Sequence, residues 1–74
     1  MAQKKLTLLG EVCPLPLLKT QMELEKMNSG SVLQVETDFN QSVRNIMKWC
    51  ERQGHSFILD EIDNGVWLLT ITKP

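Results

Sequence analysis

The spacing of hydrophobic residues along the chain switches between two periods. Alternation at every second position marks a strand, and recurrence every three to four positions marks a helix face. Lys4 to Leu9 reads as a first strand, with Leu6 and Leu8 on one side. A helix follows the Cys13-Pro14 stretch and runs to about Met27 or Asn28. Lys19, Glu23 and Lys26 mark its polar face, while Leu17, Gln21 and Leu24, with Leu18 beside them, form the side expected to meet a sheet. Asn28-Ser29-Gly30 ends it. Ser31 to Thr37 alternates again, Leu33 and Val35 against Gln34 and Glu36. Asp38 or Asn40 can cap a second helix whose Val43, Ile46, Met47 and Cys50 fall on one stripe, with Gly54 as its stop. His55 to Ile62 and Val66 to Thr72 make two strands joined across Asn64-Gly65, a pair suited to a two-residue type I′ turn.

The order β-α-β-α-β-β predicts an α+β fold: a two-layer α/β sandwich with two helices on one face of a four-stranded mixed sheet. A right-handed crossover makes the second strand parallel to the first, and the closing hairpin is antiparallel. The opposite sheet face is expected to stay partly wet. Trp67, Leu69 and Ile71 alternate with Leu68 and Thr70, and whichever set faces outward is available to a partner. Residues 1–74 read as a single domain without repeats or linkers, near the lower size limit for a self-sufficient core.

Charge narrows the partners. Eight basic and nine acidic residues leave a net charge of −1. Lys4-Lys5 and the scattered Lys19, Lys26, Arg44, Lys48, Arg52 and Lys73 make no basic stripe in the sequence, so direct nucleic-acid binding is not expected. No long apolar run follows Met-Ala-Gln-Lys-Lys, so neither a signal peptide nor a membrane-embedded segment is expected, and the expected location is the cytoplasm.

The candidate chemistry lies in Gly10-Glu-Val-Cys-Pro-Leu-Pro-Leu, residues 10–17. Proline fits the first turn of a helix, because its missing N–H has no intrahelical partner there and its φ is already helical. Pro14 therefore suits the first helical position and makes Cys13 the N-cap. Pro16 disfavours helical geometry at Leu15, so either the first turn is distorted or the regular helix starts nearer Pro16. Both arrangements put the Cys13 thiol at the positive end of the helix. There the thiolate, which is the reactive form, is favoured over its free pKa of about 8.5. Lys19, about a turn and a half along, adds positive potential or is simply a solvated helix lysine. The bland reading of Cys13 is a small buried residue beside a helix start. Cys50, completing the apolar stripe of the second helix, reads as core.

Other thiol chemistries lack their parts. A cysteine hydrolase needs an oriented base, and the one histidine, His55, falls after the second helix. If the first and third strands both run parallel to the second, His55 starts at the sheet end opposite Cys13. No CxxC supplies a resolving thiol, no metal-ligand set is present, and no phosphate-binding glycine motif occurs, so neither metal nor cofactor is expected. Glu23, Glu25, Asp60, Glu61 and Asp63 read as solubilising. What remains is one aimed thiol without catalytic apparatus, which suits a carrier that accepts a sulfane sulfur and passes it to a partner's site.

The Cys13-Pro14-Leu15-Pro16 stretch resembles the CPxP signature of the TusA/SirA-like sulfur carriers. The likeness continues through Gly10, Ser29-Gly30, Thr37-Asp38, Trp49, Gly54-His55 and the closing hairpin. It implies a βαβαββ sandwich, Cys13 as a persulfide site of a sulfurtransferase-like carrier, and Pro14 and Pro16 as residues shaping the helix tip. The stretches VCPLPL, DFNQ and GHSF, with Trp67, look most like the YeeD-type branch. That branch is associated with a membrane thiosulfate importer and with taking sulfur from thiosulfate. The Arg-Gly that often precedes the motif in tRNA-thiolation carriers is Leu9-Gly10 here, and basic positions after it are Gln21 and Met22. The implied partners are sulfur donor and acceptor proteins, including such a transporter. Competing readings are a carrier for tRNA thiolation or cofactor biosynthesis, and a non-catalytic regulatory or binding module with a structural Cys13.

Overall fold

The computed structural model of the chain describes residues 3–10 and 15–74. The elements follow the expected order: β1 (Gln3–Thr7), α1 (Leu15–Lys26), β2 (Val32–Thr37), α2 (Asn40–Gln53), β3 (Ser56–Asp63) and β4 (Val66–Thr72). The four strands form one mixed sheet in the spatial order β1-β2-β4-β3. β1 runs parallel to β2, and β4 runs antiparallel to both β2 and β3. β1, β2 and β3 therefore share a direction, and the last strand in the chain is inserted between two earlier ones.

The core forms where the alternating strand residues meet the helices. Leu33, Val35, Leu69 and Ile71 from the sheet, Leu24 from α1, Ile46 and Cys50 from α2, and Leu8 after β1 make one buried cluster, with Phe57, Leu59, Leu6 and Met47 packed against it. Fully burying a leucine or isoleucine side chain stabilises a fold by about 1.5–3 kcal/mol, so these few residues supply much of the drive in so small a chain. The register settles which alternating set faces inward. Leu69 and Ile71 sit opposite Val35 and Leu33 beneath the helices, and Trp67 sits opposite Thr37. Leu68 and Thr70 turn to the open face, where Ile58 on β3 is 65% exposed.

Local geometry departs from expectation in three places. The N-cap of α2 is Phe39 in an extended conformation with no side-chain cap, rather than Asp38 or Asn40. Thr37 substitutes, its Oγ1 accepting the Phe39 N–H at 3.3 Å. Asp38 and Asn40 are occupied elsewhere: the Asp38 carboxylate accepts the Gly10 N–H, and Asn40 Oδ1 accepts the Trp67 indole N–H at 2.7 Å. The hairpin turn is not type I′. Among the described residues no non-glycine has positive φ, so Asn64 does not, while Gly65 sits at φ 75°. The pairing slips by one residue between Glu61 and Asp63, a bulge that accommodates this turn.

The third departure is the rotation of α1. Its buried residues are Pro16, Thr20 and Leu24. Gln21 is only half-buried and Leu18 is exposed. A threonine can occupy this core-facing line because its Oγ1 donates to the Pro16 carbonyl at 2.7 Å, which leaves no unsatisfied hydroxyl in the interior. α2, by contrast, matches its expected stripe, with Val43, Ile46 and Cys50 buried. It ends at Gly54 in the left-handed conformation, where the Gly54 and His55 N–H groups close back on the carbonyls of Glu51 and Cys50.

Candidate functional site

Residues 11–14 include Cys13 and Pro14, which lie outside the described residues; the flanking elements define where the motif is anchored. On one side, Leu8 extends the β1–β2 ladder, its N–H donating to the Glu36 carbonyl at 2.7 Å. Gly10 is then tied to the end of β2 by its N–H, which the Asp38 carboxylate accepts at 3.1 and 3.3 Å. On the other side, Pro16 is buried in the first turn of α1 and held from beneath by Thr20. Helix is already established at Leu15, so Pro16 does not delay its start. β1 and β2 are parallel and each leads into a helix, so the N-termini of α1 and α2 open at the same end of the sandwich.

The surface beside this anchor is apolar. Leu15, Leu18 and Met22 recur along one outward stripe of α1, exposed by 49%, 48% and 56%, and Leu9, before the motif, is exposed as well. Lys19 is exposed and borders, with Leu6, Met22, Glu23 and Lys26, a shallow depression farther along α1. The polar face of α1 is braced by Lys4, whose Nζ meets the Glu23 carboxylate at 2.9 Å and holds that carboxyl below its ordinary pKa.

Cys50 is a free thiol with no solvent exposure. Burial pushes its pKa up to about 11. It is core, as its place in the stripe of α2 implies, and it is unsuited to nucleophilic chemistry because almost none of it is thiolate near neutrality.

His55 stands at the far end of the molecule from Gly10: it precedes β3, whereas Gly10 follows β1, and the two strands run the same way. Its ring packs on Trp49, with centroids 5.0 Å apart at 44°. Nδ1 is buried without a hydrogen-bond partner. Burial first, and the charge of Lys73 second, hold its pKa below the ordinary histidine value. Lys73 itself closes the C-terminus of α1, donating from Nζ to the Leu24 and Met27 carbonyls at 2.6 and 2.7 Å. Neither residue is brought to the motif end. No group of three or more metal-ligating side chains occurs among the described residues, and no described helix is long and apolar enough to cross a membrane.

A two-layer sandwich whose parallel strands lead into two helix N-termini, with a Cys-Pro-Leu-Pro stretch running into the first turn of α1, defines a narrow class of small α+β domain. The family model described as Sulfurtransferase TusA matches residues 4–73. The crystal structure of a SirA-like protein from Desulfitobacterium hafniense superimposes with a TM-score of 0.87 at 33% identity, covering 93% of this chain and 95% of that one. Among curated relatives, the "Putative sulfur carrier protein TsuB" of Escherichia coli K12 is 34% identical over 74 residues, 99% of each chain. A protein of Methanocaldococcus jannaschii, likewise named a putative sulfur carrier, is 36% identical over 73 residues, 99% of this chain and 97% of its own. The chain belongs to the TusA family of sulfur carriers.

Proposed function

We propose that Cys13 is the sulfur-bearing residue, and that it takes sulfane sulfur from thiosulfate or from a protein persulfide and delivers it to an acceptor protein. The observation that carries this assignment is the burial of Cys50: of the two thiols in the chain, one is sealed in the core with its pKa raised to about 11. Sulfur exchange needs an accessible thiolate, which leaves Cys13.

In the loading step the Cys13 thiolate attacks the outer sulfur of thiosulfate. A new S–S bond forms, the S–S bond of thiosulfate breaks, and sulfite leaves with the electron pair, so the persulfide keeps the thiolate's single negative charge. In delivery an acceptor thiolate attacks the terminal sulfur, and Cys13 departs as thiolate. Neither step consumes an oxidant or reductant. Pro16, locked in the first turn by its buried ring, and Gly10, tied to Asp38, hold the two ends of the motif. The exposed stripe of Leu15, Leu18 and Met22 supports the carrier reading, since contiguous apolar surface beside a reactive residue suits transient contact with a partner protein. The partners are a sulfur donor and a sulfur acceptor, with a membrane thiosulfate importer as the donor-side candidate.

The test is mass spectrometry of the intact chain after incubation with thiosulfate and, separately, with a persulfidated sulfurtransferase. A gain of one sulfur atom, mapped to Cys13 and lost in Cys13→Ser, is the expected result. Sulfur found on Cys50 with Cys13 unmodified rejects the assignment.

A further inference from the structure

The cations of α2, dispersed in the sequence, converge in space. Arg44, Lys48 and Arg52 are spaced by four residues and all are exposed. At 1.5 Å rise per residue they form one ridge about 12 Å long on the outer face of the helix. None of the three is in an ion pair among the described residues, whereas Lys4 and Lys5 meet Glu23 and Glu36, and Lys73 is spent on the carbonyls of α1. Charge is also segregated between elements. α2 carries these three cations against Glu51 alone, while β3 and β4 carry Asp60, Glu61 and Asp63 and no cation.

The ridge begins at the motif end of the molecule. Gln41, Arg44, Asn45 and Lys48 border a shallow recess of about 600 Å³ that reaches Asp38, the residue holding Gly10. The recess offers two cations to an incoming group, and the one carboxylate in it already accepts the Gly10 N–H.

We propose that the α2 ridge and its recess are a docking surface for an acidic patch on a folded partner protein, which the ridge brings alongside the motif. This rests on the reading of Cys13 as a carrier thiol. Charge orients the encounter: the ridge attracts a patch of carboxylates, while Asp60, Glu61 and Asp63 repel the same patch and disfavour the hairpin as its contact. Three cations over about 12 Å match two or three carboxylates on a protein surface; nucleic acid engaged through its phosphates draws on a larger basic footprint, and this chain is net acidic.

The test is an NMR titration of the full chain with poly-L-glutamate as the acidic probe, with single-stranded RNA in parallel. Shifts of the Gln41, Arg44, Asn45, Lys48 and Arg52 amides are expected with poly-L-glutamate, and binding is expected to weaken about tenfold or more between about 20 and 300 mM salt. The triple variant Arg44→Glu, Lys48→Glu, Arg52→Glu is expected to lose those shifts while melting like the wild type and still gaining sulfur from thiosulfate. Shifts spread over Lys4, Lys5 and Lys19 instead, equal binding of RNA at the ridge, or undiminished binding by the triple variant each overturn the proposal. So does self-association of the wild type through hairpin and ridge, read by sedimentation. If Cys13 takes up no sulfur, the carrier reading fails, and the titration still reports on the ridge.

Discussion

Replacing Lys73 tests how a short helix in a marginal domain is held. At the C-terminal end of α1 Lys73, arriving from beyond β4, supplies a charged donor at 2.6 Å to the Leu24 carbonyl, which also accepts the Met27 N–H, and at 2.7 Å to the Met27 carbonyl just past the helix. Hydrogen bonds from charged donors contribute roughly 1.5–3 kcal/mol, and a cation at a helix C-terminus gains a further few tenths from the macrodipole. Because Lys73 is only half-buried, the low end applies to the pair together: Lys73→Met should cost about 2 kcal/mol. For a domain of this size that corresponds to a melting temperature lower by about 8–16 °C, read by circular dichroism.

A second readout separates this from a general packing defect. The Lys73 charge helps to hold the His55 pKa down, so removing it should raise that pKa in an NMR titration. The sign of the pH effect follows. The unfolded chain takes up a proton near pH 6.5 while folded His55 stays neutral, so wild-type stability falls as pH drops below about 6.5, until folded His55 also titrates. In Lys73→Met this acid-side loss should be smaller. A variant whose stability changes by less than about 0.5 kcal/mol, the value of an ordinary exposed ion pair, refutes the capping role.

Three further outcomes are expected. Under native conditions at pH 8 iodoacetamide should leave Cys50 untouched, and Cys50 should react only on unfolding; alkylated Cys50 in peptide maps of the folded chain contradicts its burial. Trp67→Phe removes the donor to Asn40 Oδ1 that fastens the start of α2 to β4, and should cost about 1 kcal/mol in urea unfolding; an unchanged midpoint means the bond does not fasten them. Asp38→Ala should faintly affect global stability, by less than about 1 kcal/mol, yet accelerate hydrogen exchange at the Gly10 amide; unchanged exchange there means the Asp38 carboxylate does not restrain the approach to the motif.

Much of the architecture is legible in the linear pattern, because strand alternation and the stripe of α2 are local signals that tertiary structure reinforces. Cys50 is legible for the same reason. The α2 cap is not, since Asp38 and Asn40 have the right chemistry but are drawn off by partners 28 and 27 residues away. The rotation of α1 is hidden by composition: Thr20 looks polar, and only its bond to the Pro16 carbonyl makes it compatible with the interior. Leu18, expected beside the sheet-facing side of α1, instead faces outward with Met22 beside the motif. The cations of α2 look dispersed because a spacing of four becomes a line only once the helix is formed. The motif itself is legible from Cys13, Pro14 and Pro16, while the Asp38 tether that anchors its approach depends on two strands lying in parallel, which a sequence does not display.

The insertion of β4 between β2 and β3 bears on how the chain is made. On the ribosome β1, α1 and β2 can pair as they emerge, but β3 has no neighbour to join until β4 has followed it out. Until then the inward side chains Phe57 and Leu59 have no sheet to complete, so nascent chains stalled inside the hairpin should be selectively vulnerable to proteases and to chaperone capture.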